Sequence, residues 1–407
     1  MMINNNEVNR IKFKEKIENP HILWVSVGNH RNSGYGIMSK YITEYLANKN
    51  IDIITTNKDI YEPIMYNGIM QLPRGNSELF IDVLEEYVIN LKRNVMISNI
   101  DVWAIPTLYK EPLNKIWIPY VPIDSPITNC FKYINLLKNA KHIIAMSKFG
   151  YEQLKQYIDI KKLSYIPIGV NTEIFKPVDK INKEFIKNNL FNLPADSFLF
   201  GYVAQNIGMR KGLPELIKTF SKVCELHKNA YLYLHTNPNG IVNKLYGFDL
   251  IDIINKYGIK DKVIMPTNDI MRYPFPMELM NKIYNAMDVY VSNSAGEGFG
   301  MPVLEAMSSG IPVIAGNHSA HTELITNNGW LVKANDYHIL NIVPTSQEYA
   351  YPNNEHMLKT MINVINNPDE INKKSLKSRK FALKYDWNNY ILPKWHEFIM
   401  NIDDLTE

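Results

Sequence analysis

Short apolar runs alternate along this chain with longer stretches of helical period, and the alternation restarts once. That pattern confines the chain to βαβ units, because a strand covered by helices on both faces reads as one continuous apolar run. The first cycle opens with HILWVSV (21–27), passes a loop holding Gly28, Gly34 and Gly36, and enters a helix expected from Ile37 to Ala47 before the strand IDIITT. NVMIS, KIWIPYV, HIIAMS and LSYIPIG follow, the last closing at NTEIFKP. A charged, Asn-rich stretch around 178–196 reads as a linker. FLFGYVA then begins a second cycle, continued by YLYLHT, KVIMP, DVYVSN and IPVIAG.

The fold class expected is α/β, with two Rossmann-like domains at 1–178 and 197–385, a number that suits 407 residues. In the remaining segment, 386–407, Asp386 is placed to cap a helix carrying Trp387, Tyr390, Trp395 and Phe398. So amphipathic a segment is expected to pack back on the first domain.

Composition removes several classes of function. With 44 basic against 41 acidic residues, the chain lacks the excess of a protein that binds nucleic acid by neutralising phosphates. Cys130 and Cys224 stand far apart without metal-ligand spacing, so neither a disulfide framework nor a zinc site is signalled. The first twenty residues carry no apolar signal region, and no run approaches the roughly 18 apolar residues of a membrane span. The expected location is cytoplasmic, with any membrane contact peripheral. Lys132, Lys138, Lys141, Lys148, Lys155, Lys161 and Lys162 face only Glu152 and Asp159 in one stretch, a pattern attracted to anionic lipid. Solvated helix faces give the same pattern and are its commoner cause.

The most informative stretch is DVYVSNSAGEGFGMPVLEAMSSGIPVIAG, 288–316, which reads as strand, glycine loop, helix, strand. Pro302 suits a first helical turn and Gly310 a C′ position. Gly296, Gly298 and Gly300 clear side chains where the loop meets the helix, so backbone N–H groups and the helix dipole can face a phosphate. Glu297 lies in the loop and Glu305 one turn into the helix. Ligands of open α/β sheets bind beyond the carboxyl ends of the strands, where both carboxylates could accept hydrogen bonds from one ligand's hydroxyls. Such a pair beside an anion site suits a nucleotide sugar; the plainer alternative is a tight turn with a solvated Glu305. FLFGYVAQNIGMRKGLPELIKTF repeats the design, with Arg210 and Lys211 in the loop before a helix started by Pro214. Two fixed cations there can stabilise charge on a diphosphate leaving group, whereas a solvated basic turn would have no such role.

These residues resemble retaining glycosyltransferases of family 4, whose GT-B fold sets two Rossmann-like domains face to face across a cleft. The E-x7-E motif is met by Glu297 and Glu305 within SAGEGFGMPVLEAMSSGIPVI, NKIYNAMDVYVSNS before it is also similar, and YIPIGVNTEIFKP and AMSKFGYEQLKQY resemble the end of the family's first domain. The resemblance implies a hexosyltransferase that moves a sugar from a nucleotide diphosphate sugar to an acceptor hydroxyl with retained configuration. It places Glu297 near the transferred sugar, Glu305 on the ribose, Arg210 and Lys211 on the diphosphate, and Gly34 and Gly36 against donor and acceptor. Ser294, Gly298, Phe299, Gly300 and Met301 complete the expected donor site. The family often has Gly-Arg where this chain reads Gln205-Asn206, and Asp where Asn171 stands. Its acceptor-side histidine has no clear counterpart; Asp124 lies in about that region and equally suits capping of a turn between Pro122 and Pro126.

No cofactor or metal is expected. No Asp-x-Asp triplet occurs, and GxSxG, HExxH and GxxxxGK[ST] are missing. His235, His318 and His321 read as scattered loop or core histidines. The alternatives are a nucleotide-sugar epimerase of the same fold, a silent sugar-nucleotide binder, and an NAD-dependent oxidoreductase. The last rests on Gly34-x-Gly36 and lacks the third glycine, Ser39 standing in its place.

Overall fold

Two twisted parallel sheets organise the molecule in the computed structural model, which describes residues 20–31, 33–77, 80–101, 111–127, 131–194, 196–239, 247–267, 271, 275–343 and 345–402. The first sheet takes β1 (His21–Val25), β2 (Asp52–Asn57), β3 (Ile64–Tyr66), β4 (Ile69–Pro73), β5 (Val95–Ser98), β6 (Trp117–Val121), β7 (Ile143–Ala145) and β8 (Leu163–Tyr165) in the order β3-β4-β2-β1-β5-β6-β7-β8. The second takes β9 (Phe198–Val203), β10 (Ala230–His235), β11 (Val263–Ile264), β12 (Val289–Ser292), β13 (Val313–Gly316) and β14 (Gly329–Val332) in the order β11-β10-β9-β12-β13-β14. Every pair is parallel except β3 with β4. In both sheets the first strand lies inside the order, flanked by strands that continue in opposite directions, which opens a crevice at the carboxyl ends.

The expected strands fall where the apolar runs stand, because Ile22, Leu23, Trp24 and Val25, like Leu199 and Phe200, are wholly buried. Three departures matter. The first helix spans Gly34–Asn48, so Gly34 and Gly36 lie in its first turn and not in the preceding loop. Ser33 caps it by accepting from Gly36 N, and a Cβ on Gly36 would meet Arg31 O at 2.1 Å. The stretch read as a linker holds the helix Lys180–Phe191, capped by Asp179, with Lys187 buried and bonded to Asp288 Oδ2 (2.8 Å) and Ser197 O (2.9 Å). An antiparallel hairpin that the apolar pattern does not announce, β15 (His338–Val343) with β16 (Thr345–Tyr349), follows the second sheet.

The chain crosses between the halves twice, and the crossings are zipped together. Val170 N donates to Tyr385 O (2.9 Å), Trp387 N donates to Val170 O (3.1 Å), and Thr172 Oγ1 bonds Asp386 Oδ2 (2.6 Å). Asp386 also caps the next turn through Asn389 N, and the helix Leu392–Met400 lies on the first sheet's side. Its Trp395 meets Trp24 and Tyr120 edge-on, at 5.5 Å and 5.0 Å between ring centroids. Residues 403–407, 1–19, Cys130 and part of the loop 266–270 lie outside the described residues, as does the side chain of Lys132. Of the other basic residues, Lys155 pairs with Glu152 and Lys162 donates to Ala140 O (3.3 Å). Among the described residues no helix is long and apolar enough to cross a membrane.

Candidate active site

The loops at the carboxyl ends of β9 and β12 converge. Tyr202, on β9, donates its hydroxyl to Lys211 O (3.0 Å), and Asn293 Nδ2 donates to Gly212 O (2.9 Å), so the basic loop is tied to the glycine loop before either meets a ligand. Ser294 is fully buried and shapes the turn by donating to Gly296 O (2.9 Å). Gly300, at φ +105°, turns the chain into the helix Met301–Ser308, a conformation that a side chain would strain. No side chain caps that helix, so its first amide groups keep the arrangement an anion requires.

Glu297 sits between two partly buried cations. Lys211 Nζ donates to its Oε1 at 2.5 Å, and Arg210 Nη1 lies 3.7 Å from its Oε2 while donating to Gly296 O at 2.8 Å. Burial alone would raise the carboxyl's pKa; Lys211 and then Arg210 overcome it and bring it down to about 2. His321, which lies near the same carboxylate, is held by burial at about 3 and is neutral at pH 7, so the two cations carry the effect. Burial and the neighbouring guanidinium hold Lys211 below its ordinary value, with Glu297 opposing. For Arg210, Glu297 and Asp124 outweigh burial and favour the charged form.

Asp124, on the loop after β6, faces this group from the first domain. Its Oδ2 is 3.7 Å from Arg210 Nη1, and Tyr349 donates to its Oδ1 (3.1 Å). The halves touch here without side chains between them: a Cβ on Gly296 would stand 2.2 Å from Asp124 O, and one on Gly298 would stand 2.5 Å from Pro122 Cβ. Asp101, after β5, accepts from Tyr35 OH (2.9 Å), and burial raises its carboxyl to about 6, with Arg210 opposing.

Glu305 has a different environment from Glu297. Its Oε2 accepts from Tyr284 OH (2.7 Å), and burial raises it to about 7 against that bond. It borders a narrow gap between the halves, with Tyr41, Asn171, Met301 and Trp387 among the walls. Asn171 Nδ2 donates to Tyr41 OH (2.9 Å), whose ring stacks on Trp387 at 5.2 Å. Phe299 is buried (3 % exposed) against Tyr385, so only its backbone can serve a ligand. Gly34 approaches Met301 across the same gap.

The structure thus gathers Glu297, Arg210, Lys211, Asp124 and Ser294, and sets Glu305, Met301 and Gly34 together beside them. Sequence reasoning missed Tyr35, Asp101 and Tyr349, which no motif connects to the site. His318 and His321 are not scattered: their rings lie 6.0 Å apart, bonded to Ser294 O (2.9 Å) and Ser292 Oγ (3.3 Å) beneath the glycine loop. His235 bonds Tyr233 instead (2.8 Å). Among the described residues no group of three His, Cys, Asp or Glu could hold a metal ion.

The architecture is GT-B, two Rossmann-like domains with parallel sheets, the fold of glycosyltransferases. Residues 183–341, which include the basic loop and the glycine loop, match the family described as Glycosyl transferases group 1. EpsD of Bacillus subtilis strain 168, a glycosyltransferase by name, is 30% identical over 229 residues, 54% of this chain and 53% of its own. A UDP-Gal:alpha-D-GlcNAc-diphosphoundecaprenol alpha-1,3-galactosyltransferase of Escherichia coli is 28% identical over 185 residues, 44% and 43% of the two chains. The chain therefore spans about half the length of these curated relatives. Among solved structures, sucrose-phosphate synthase from Thermosynechococcus elongatus superposes with a TM-score of 0.75 at 16% identity, covering 94% of this chain and 99% of that one. Anabaena HepE in complex with UDP-glucose gives 0.72 at 16% identity, covering 93% and 99%.

Proposed function

We propose that this chain is a retaining glycosyltransferase of family 4 type, transferring a sugar from a nucleotide diphosphate sugar to an acceptor hydroxyl without a metal ion. The observation that carries the reading is the Arg210–Lys211 pair packed on Glu297 beside an uncapped helix start, with Asp124 opposite on the other domain. Breaking the bond between sugar and diphosphate places negative charge on the departing phosphate. Cations already fixed at the carboxyl ends of the strands stabilise that charge more than the ground state, which is what accelerates the step. The two cations are balanced by Glu297 and Asp124, so a diphosphate competes with the Lys211–Glu297 hydrogen bond and with the two 3.7 Å ion pairs of Arg210.

In this reading Glu297 orients the transferred sugar or stabilises positive charge on its ring, for which its lowered pKa keeps it ionised. Glu305 reads the ribose diol, Gly300 and Met301 bring the helix N-terminus to the diphosphate, and the first domain presents the acceptor. Closure of the cleft excludes water. The E. coli relative acts on a UDP-sugar and the Anabaena structure holds UDP-glucose, which makes UDP the first nucleotide to try. A cytoplasmic site of action, with a membrane approached only peripherally through the stretch Lys132 to Lys162, belongs to the same proposal. The relatives give an epimerase no support.

The test is incubation with UDP-glucose, UDP-galactose, UDP-N-acetylglucosamine and GDP-mannose, reading free nucleoside diphosphate with and without hydroxyl acceptors and the anomeric configuration of product by NMR. Acceptor-dependent release with retained configuration is expected. Sugar interconversion without release, or an inverted product, overturns the reading.

A further inference from the structure

The base of the β15–β16 hairpin reaches three separate parts of the site. Tyr349 is 2 % exposed, and its one hydroxyl proton is shared between Asp124 Oδ1 (3.1 Å) and Gln347 Oε1 (2.8 Å). Gln347 Oε1 also accepts from Ser125 Oγ (3.3 Å), so two successive residues of the first domain's loop are held by one strand of the second domain. The Tyr349 ring fills the space a side chain at Gly296 would need, its nearest carbons 2.9 Å from that Cβ position. Two residues on, Tyr351 OH donates to Met209 O (2.6 Å), fixing the backbone immediately before Arg210.

These contacts close a circuit. Tyr349 holds one oxygen of Asp124, Arg210 lies 3.7 Å from the other, Arg210 donates to Gly296 O, and Gly296 packs on the Tyr349 ring. An arginine side chain has large rotamer freedom, and fixing it before the ligand arrives removes that reorganisation from the reaction. The hairpin's cross-strand register pairs its base, His338 opposite Tyr349 and Ile339 opposite Glu348.

We propose that Tyr349 is a positioning residue that acts through Asp124, latching the first domain's 122–125 loop to the second domain and setting Asp124 against Arg210. Its catalytic consequence rests on the transferase reading above; the latch itself does not. Removing the hydroxyl leaves the ring and its packing but frees Asp124.

Small-angle scattering of the ligand-free protein tests the latch. Tyr349→Phe has a larger radius of gyration than the wild type, Asp124→Asn shows the same increase, and the double variant no more. An unchanged radius in Tyr349→Phe overturns the proposal, whatever the activity. If Tyr349→Phe does not fold, Gln347→Ala replaces it, with a smaller opening expected and an unchanged radius again decisive against the latch. The second measurement is release of nucleoside diphosphate from the four nucleotide sugars named above. Tyr349→Phe lowers kcat about tenfold with KM for donor within twofold, and costs nothing further in an Asp124→Asn background. Independent losses that multiply overturn the positioning role. Absence of turnover in the wild type instead defeats the transferase reading and leaves the scattering result to decide the latch.

Discussion

Lys211 Nζ is bound to Glu297 Oε1 in a setting where both groups are largely shielded from water, with side chains 14% and 17% exposed. Neither ion is solvated enough to stand alone, so the pair holds its geometry and each group fixes the other's charge. Arg210, 3.7 Å from the second carboxylate oxygen, adds a further cation. Asp124, 3.7 Å from Arg210, brings the four charges to balance.

Glu297→Gln follows directly from that balance. Transfer is expected to fall by at least about 100-fold, because a neutral amide cannot stabilise positive charge in the transition state. Binding of nucleoside diphosphate should stay within a few-fold or tighten, since Lys211 loses its internal carboxylate. Calorimetry with UDP beside steady-state rates checks both; wild-type turnover removes Glu297 from the reaction.

The basic pair makes a second expectation. Lys211→Ala should lower kcat/KM by at least about 100-fold, comparable to losing one preorganised donor from a charge-stabilising site. Excess EDTA should leave the wild type unchanged, since the two cations and the helix N-terminus already meet the leaving group's charge. Activity lost with EDTA and restored by magnesium or manganese would defeat this account of the phosphate site.

Glu305 predicts a pH effect whose sign is fixed by its burial. Its carboxyl is raised from 4.5 to about 7 in the folded chain, so between those values the folded state holds a proton that the unfolded state has released. Stability contributed by the neutral form is therefore present below about pH 4.5 and lost as pH rises through 7. Glu305→Gln should melt like the wild type at pH 5 and be more stable by about 2 kcal/mol at pH 8. The same variant should bind nucleoside diphosphate more weakly by about 1–3 kcal/mol at pH 8, the cost of losing a charged hydrogen-bond acceptor. Melting and UDP titrations at the two pH values decide it; equal stability at pH 8 would show that the carboxyl is not desolvated.

The sheets were legible because their strands are buried on both faces and write continuous apolar runs, as in Ile22 to Val25 and Val289 to Val291. The β3–β4 pair escaped because Ile64 and Met65 are 40% and 63% exposed and give no run. The helix Lys180–Phe191 escaped because its charges suggested solvent, whereas Lys187 turns inward to Asp288. Glu297, Arg210 and Lys211 lie within contiguous motifs and could be read. Asp101, Tyr35 and Tyr349 are brought to them by strand order and by a hairpin, which no local spacing encodes.

The last prediction concerns glycines at the domain boundary. Gly296 and Gly298 have φ values outside the left-handed region, so the backbone itself could carry alanine at either position. A Cβ at 296 would meet both the Asp124 carbonyl at 2.2 Å and the second domain's own Tyr349 ring at 2.9 Å, whereas one at 298 would meet only the other domain, at the Pro122 ring 2.5 Å away. Gly34 differs, since a Cβ there would meet only the end of the Met301 side chain at 3.4 Å, an ordinary contact with a flexible group. Gly298→Ala should therefore fold, with a melting temperature close to the wild type, yet hold the cleft open. Transfer should fall at least about tenfold while UDP binding persists, and the radius of gyration should rise. Gly34→Ala should retain most activity. If Gly298→Ala instead turns over at the wild-type rate, the approach of the 122–125 loop to the glycine loop is not part of the reacting state, and the roles assigned across the cleft fall with it.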